Sequence, residues 1–164
     1  AVKSRADRDA LREGLLSGKV DLVATDHAPH SDEEKSQTYW SCPSGGPSVQ
    51  HSLVVMLELA QRGVLPVEKV VEKMCHAPAV RYGVVGRGFL REGYHADIVV
   101  VDPQKAQTVT RDNILYKCGW SPFEGERFSS SVELTLVGGR KAFAEGRVDR
   151  SVRGSRLEFA PRRK

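Results

Sequence analysis

Val20-Asp21-Leu22-Val23-Ala24-Thr25-Asp26-His27-Ala28-Pro29-His30 decides how the rest of this 164-residue chain is read. Its first five residues are a short, mostly apolar run of the length of a buried strand. Its remainder places an acid and two imidazoles at the start of a stretch with no helical or strand period. Residues 25–47 are rich in Ser, Pro, Gly and charge, which predicts a loop of about twenty residues, and loops of that length in compact domains are usually functional.

Helices are expected on either side. Before the run, Ser4 and Asp7 have capping-box spacing, Ala6, Ala10, Leu11 and Leu15 follow at helical spacing, and Gly18 supplies the stop. After the loop, Ser48 is expected to open a helix whose apolar face is Val49, Leu53, Leu57 and Ala60, closed by Gly63. Pro66 suits the first position of the next helix, with the stripe Val67, Val70, Val71 and Met74. Pro78 is expected to start a short helix ending near Gly83.

The texture changes after Gly86. Ala96-Asp97-Ile98-Val99-Val100-Val101-Asp102-Pro103 reads as a strand with a stop. Residues 132–137, the pair Gly138-Gly139 and residues 140–144 read as a hairpin whose turn needs positive φ angles. Three units follow: 1–85, helix-strand-helix in character; 86–150, a small β domain; and 151–164, a basic tail.

The formal charge of +4 belongs to that tail. From Arg147 onward there are seven Lys or Arg and two Asp or Glu, so the other 146 residues sum to −1. With no aromatic residue in the tail except Phe159, a solvated terminus, or one folded back on an acidic surface, is expected in preference to a nucleic-acid contact. No apolar run approaches the roughly 20 residues of a membrane span. Cys42, Cys75 and Cys118 are odd in number and widely spaced, which argues against a disulfide framework and for reduced thiols in a cytoplasmic setting. The first residues have no apolar core, so no signal peptide is expected there, and they lack an initiator Met, so a truncated or processed chain is expected.

Two readings of Asp26, His27 and His30 stand side by side. An oxygen ligand with two imidazoles suits a divalent metal such as zinc. An Asp capping a loop beside two incidental histidines fits the same residues. Three or four ligands must converge to hold a metal, and these three residues alone do not complete a site. His51, His76 and His95 are expected to be structural or superficial.

The motif from Ala24 to His30, with Glu33-Glu34-Lys35 and Cys42-Pro43-Ser44-Gly45 after it, resembles the eighth-strand signature of dihydroorotases, which are cyclic amidohydrolases. Asp7-Arg8-Asp9-Ala10-Leu11, Pro78-Ala79, Ala96-Asp97-Ile98-Val99 and Gly119-Trp120-Ser121-Pro122-Phe123-Glu124-Gly125 resemble flanking segments of the same family. The resemblance runs from the first residues to about Gly146.

It implies an α/β fold, the C-terminal portion of a (β/α)8 metal-dependent hydrolase barrel followed by a small β-sandwich-like domain. It implies that Asp26 is a ligand in a site of one or two zinc ions and the general base of hydrolysis. It implies that His30 binds the substrate carboxylate and that the backbone of Ser44 and Gly45 contacts the ring, although the family commonly has Phe at the position of Ser44. His27 receives no such role and is read as structural support.

The reaction implied is the interconversion of dihydroorotate and N-carbamoyl-L-aspartate in pyrimidine synthesis. The partner is a small-molecule substrate, without nucleic acid or membrane, in a possible homo-oligomer. Allantoinase or dihydropyrimidinase chemistry is the alternative, as is a non-catalytic relative serving as a structural partner. A complete barrel takes about 250 residues. This chain has one barrel-strand candidate and no His-x-His pair, so it is expected to be a fragment, inactive and unstable alone, with the remaining metal ligands upstream.

Overall fold

A computed structural model describes residues 2–161. Helix α1 spans Arg5–Ser17 as expected. The Ser4 hydroxyl accepts from the Asp7 N–H at 3.1 Å, the Asp7 carboxylate accepts from the Ser4 N–H at 2.8 Å, and Gly18 ends the helix. These contacts are local, which is why the sequence revealed them.

The expected strand at residues 20–24 is a correction. The segment is extended, but no strand pairs with it among the described residues, and it is half-buried to exposed instead of buried. A strand requires a ladder, and helical groups take the ladder's place here. The Val20 N–H donates to the Gly14 carbonyl at 2.9 Å and the Val23 N–H to the Lys73 carbonyl at 3.1 Å. The Lys73 ammonium, only 3% exposed, donates to the Val20 carbonyl at 2.9 Å and pairs with Glu72 at 3.3 Å.

The stretch expected to be loop throughout contains helix α2, Asp32–Lys35, closed by a second capping box between Ser31 and Glu34. Helix α3 spans Ser52–Gln61 and not a longer stretch from Ser48. The Ser48 hydroxyl donates to the Thr25 carbonyl at 2.9 Å and its N–H goes to His27, so Ser48 ties the loop down and does not cap the helix. The expected face shifts accordingly. Val49 is 54% exposed, while Val54 and Met56 are the buried residues of α3. They point into different cores. Val54 joins Val109 and Phe128, and Met56 joins Leu65 and Val70.

Pro66 stands just before helix α4, Val67–Val71, as its N-cap. A π-helical turn over Glu72–His76 follows, then α5, Ala77–Tyr82, so α4 and α5 form one continuous helical rod. Pro78 lies in the first turn of α5, which ends at Gly83 as expected, but α5 continues this rod instead of starting apart from it. Proline has no N–H and its ring crowds the carbonyl four residues back, and the wider π turn accommodates both. Of the expected stripe, Val70 is buried and Met74 half-buried, whereas Val67 and Val71 face out. Lys73 turns inward because its ammonium has the Val20 carbonyl as partner.

The sheet is antiparallel, with order β1-β4-β5-β6: Ile98–Asp102, Ser131–Val137, Arg140–Ala144 and Arg147–Val148. The β4-β5 hairpin matches expectation, with Gly138 and Gly139 at φ 55° and 78° in its turn. A separate two-stranded ladder pairs β2, Gln107–Thr108, with β3, Arg127–Phe128. The described part of the tail folds back on the end of α5. Val84 bridges Phe159, and the Ala160 N–H donates to the Gly83 carbonyl at 2.7 Å. Arg162, Arg163 and Lys164 lie outside the described residues. Among the described residues no helix is long and apolar enough to cross a membrane.

Candidate active-site loop

Asp26 sits where the extended segment enters the loop. Its φ is 44°, in the left-handed region, and its side chain is exposed. Asp tolerates that region better than most residues, and such backbone conformations cluster at functional sites. Its carboxylate takes part in no hydrogen bond or ion pair with another described residue.

The next residues fold onto the far end of the loop. The Ala28 N–H donates to the Gly46 carbonyl at 3.2 Å, and His27 forms a parallel bridge with Gly46. The approach is close enough that a Cβ on Gly45, which has φ 100°, would lie 2.8 Å from both the Ala28 Cβ and its carbonyl oxygen. Only glycine fits there. Thus the structure brings Asp26-His27-Ala28 alongside Ser44-Gly45-Gly46, and Ser44 and Gly45 are exposed.

His27 has the supporting role expected of it. Its Nδ1 accepts from the Ser48 N–H at 3.0 Å and the Val49 N–H at 3.4 Å, which puts the ring proton on Nε2. His30 is held at two points. Its Nδ1 lies 3.3 Å from Glu34 Oε2, and its carbonyl accepts from Trp120 Nε1 at 2.8 Å. The opposite ring nitrogen bonds no other described residue. The Lys35 ammonium donates to the carbonyls of Pro43 at 2.8 Å and Gly45 at 3.1 Å.

Beneath the loop lies a packed polar and aromatic cluster. His51, 5% exposed, has Nδ1 at 3.2 Å from the Ser121 hydroxyl and 3.3 Å from the Tyr116 hydroxyl, and its ring contacts Phe123 and Phe128. Burial pushes the His51 imidazole below its usual range and the Tyr116 phenol above its own, so both are neutral at pH 7. Gln50 staples this cluster to the β region, donating to the Asn113 carbonyl at 2.7 Å and accepting from the Leu115 N–H at 2.8 Å. His76 stacks on Phe89 with centroids 4.3 Å apart. The expectation of structural roles for His51 and His76 agrees with these contacts.

Among the described residues no three His, Cys, Asp or Glu side chains are grouped to hold a metal. Asp26, His27 and His30 are therefore not a ligand set by themselves. The exposed Asp26 carboxylate suits one corner of a site at most. Sequence reasoning gave no individual role to Glu34, Lys35, Gln50, Lys73 or Trp120. The capping-box spacing of Ser31 and Glu34 was a legible signal for the first, Lys35 bonds backbone carbonyls of its own loop, and the partners of the others are distant in sequence.

Residues 2–142 match the amidohydrolase family, and the chain belongs to it. Among its relatives, a dihydroorotase of Halobacterium salinarum is 41% identical over 124 residues, covering 76% of this chain and 29% of that protein. A dihydroorotase of Methanosarcina acetivorans is 35% identical over 157 residues, covering 94% of this chain and 33% of its own length. Of solved structures, L-hydantoinase (dihydropyrimidinase) from Arthrobacter aurescens superposes with a TM-score of 0.82 at 30% identity, covering 90% of this chain and 34% of that one. The chain spans about a third of the length of these relatives. The resemblance to dihydroorotases read from the sequence is borne out.

Proposed function

We propose that this chain is the C-terminal part of a dihydroorotase, a hydrolase of the cyclic amide of dihydroorotate that yields N-carbamoyl-L-aspartate in pyrimidine synthesis. In this reading residues 1–85 complete a (β/α)8 barrel, residues 86–150 belong to a small β-sandwich-like domain, and the parent protein works in the cytoplasm. The observation that carries it is the loop itself. An exposed Asp26 with no side-chain partner among the described residues stands at its entry, His30 is tethered to Glu34, and the Gly45 turn packs on Ala28.

The roles follow from the chemistry of each group. Asp26 takes a proton from the attacking water and returns it to the departing amide nitrogen. His30, oriented by Glu34, meets the substrate carboxylate through its other ring nitrogen in the imidazolium form, because Nδ1 already donates to Glu34 and both nitrogens must carry a proton for two carboxylate contacts. The exposed backbone of Ser44 and Gly45 meets the ring edge, and a change of side chain at position 44 leaves such a backbone contact intact.

A divalent metal, zinc in this proposal, would acidify water and stabilise the oxyanion. Asp26 would supply one ligand. The described residues do not make the rest of that site.

The kinship to L-hydantoinase favours a second reading, ring opening of an uncharged cyclic amide. The full-length protein, assayed with dihydroorotate, dihydrouracil and allantoin, separates the two. The proposal expects kcat/KM for dihydroorotate to exceed the others by about 10²-fold or more, because a site built around a carboxylate rejects analogues without one. Preference for dihydrouracil or allantoin would replace it.

A further inference from the structure

We propose that Lys35 and Glu34, neighbours on α2, are positioning residues that aim the two substrate-contacting parts of the loop, and that Lys35 does so by orienting two peptide planes. This rests on the reading of His30 and Ser44-Gly45 as the substrate-binding side of the site.

Helix α2 has four residues, too few to persist through its own hydrogen bonds. Its capping box and side-chain tethers keep it in place. Consecutive helical residues point about 100° apart, so Glu34 and Lys35 diverge. Glu34 turns back, where one carboxylate oxygen accepts from the Ser31 N–H at 2.9 Å and meets His30 Nδ1 at 3.3 Å. Lys35 reaches across the loop to the carbonyls of Pro43 and Gly45.

In a trans peptide the C=O and the following N–H lie on opposite edges of one plane. By drawing the Pro43 and Gly45 carbonyls to a single ammonium, Lys35 turns the N–H groups of Ser44 and Gly46 the other way. The Ser44 N–H donates to no other described residue, while the Gly46 N–H turns to the Asp26 carbonyl, as the parallel bridge of His27 with Gly46 requires. An unspent backbone donor fixed in orientation, here the Ser44 N–H, is what a ring carbonyl or carboxylate needs for recognition, and the second plane ties Gly46 to the Asp26 carbonyl, so one ammonium sets both sides of the turn. Trp120 supports the arrangement from the β region, bonding the His30 carbonyl while its ring faces Gly46.

The test uses the full-length protein with Lys35→Met, which keeps the length and apolar stem but removes charge and donors, and Lys35→Arg, which restores both. For Lys35→Met the expected result is a rise in KM for dihydroorotate of about tenfold with kcat within about threefold, the pattern of lost binding common to ground and transition states. Lys35→Arg is expected to recover most of that KM. Hydrogen exchange gives a second readout independent of turnover. The Ala28 amide, which donates to Gly46, should exchange about tenfold faster in Lys35→Met, with the amides of α3 and β4 unchanged.

An unchanged KM overturns the proposal, as does a loss of protection spread over α3 and β4, which would mark a general structural role. If the wild-type protein leaves dihydroorotate untouched, the functional reading fails. The exchange at Ala28 then decides the positioning role alone, and unchanged exchange there rejects it.

Discussion

Residues 98–148 and residues 2–83 both contain extended backbone, and they satisfy it with different partners. In the sheet, β1 pairs with β4, β4 with β5 and β5 with β6, so each strand's groups meet another strand's. In the helical region, residues 20–23 run beside no strand among the described residues, and two helical carbonyls and a buried lysine take the place of a ladder. An apolar hollow of about 340 Å³ opens next to them, lined among others by Leu11, Leu15, Leu22, Met56 and Leu65. The sheet depends on its own pairing. The candidate active-site segment depends on the helical core behind it and on α3, which packs into both cores.

The largest effect on stability is therefore expected behind that segment. Val70→Ala, at a side chain 1% exposed, should destabilise the full-length protein by about 2 kcal/mol in denaturant unfolding, through lost burial and the cavity left behind. Val99→Thr, on an exposed β1 position, should change it by no more than about 0.5 kcal/mol. Equal losses at the two positions would break the contrast.

A smaller effect is expected where the regions join. The Glu58 carboxylate accepts from the N–H of Ser129 at 2.9 Å and from its hydroxyl, and ion-pairs with Arg62. The Ser129 hydrogen bonds, more than Arg62, hold its pKa at about 2 against an ordinary 4.5. A carboxylate whose pKa is lower folded than unfolded contributes fully above the unfolded value. The contribution then fades as pH falls from 4.5 towards 2. Glu58→Gln should flatten this acid limb and cost about 1 kcal/mol at neutral pH, the difference between a charged and a neutral acceptor. An unaltered acid limb would show that another carboxylate joins the regions.

What could be read from the sequence was local. Ser4 and Asp7 are three residues apart, and the Gly138-Gly139 turn lies between the strands it joins, so each element carried its own signal. What could not be read was set by distant partners. Lys73 looks like a surface lysine until the Val20 carbonyl, 53 residues away, is placed over it. Ser48 has the chemistry of a helix cap, and its hydroxyl is spent on Thr25. The five residues before Thr25 have strand composition, but a strand also needs a neighbour.

The candidate site divided in the same way. Asp26, His30, Ser44 and Gly45 were legible through the motif they form. The Lys35 clamp and the Trp120 tether were not, because backbone carbonyls as partners leave no mark on the sequence.

The most direct measurement is turnover of dihydroorotate by the full-length protein with Asp26→Asn, which keeps size and geometry but cannot accept the proton. A loss of about 10²–10⁴-fold in kcat, with an unchanged unfolding midpoint, is the predicted result. Near-normal turnover would contradict the assignment of Asp26 as the base.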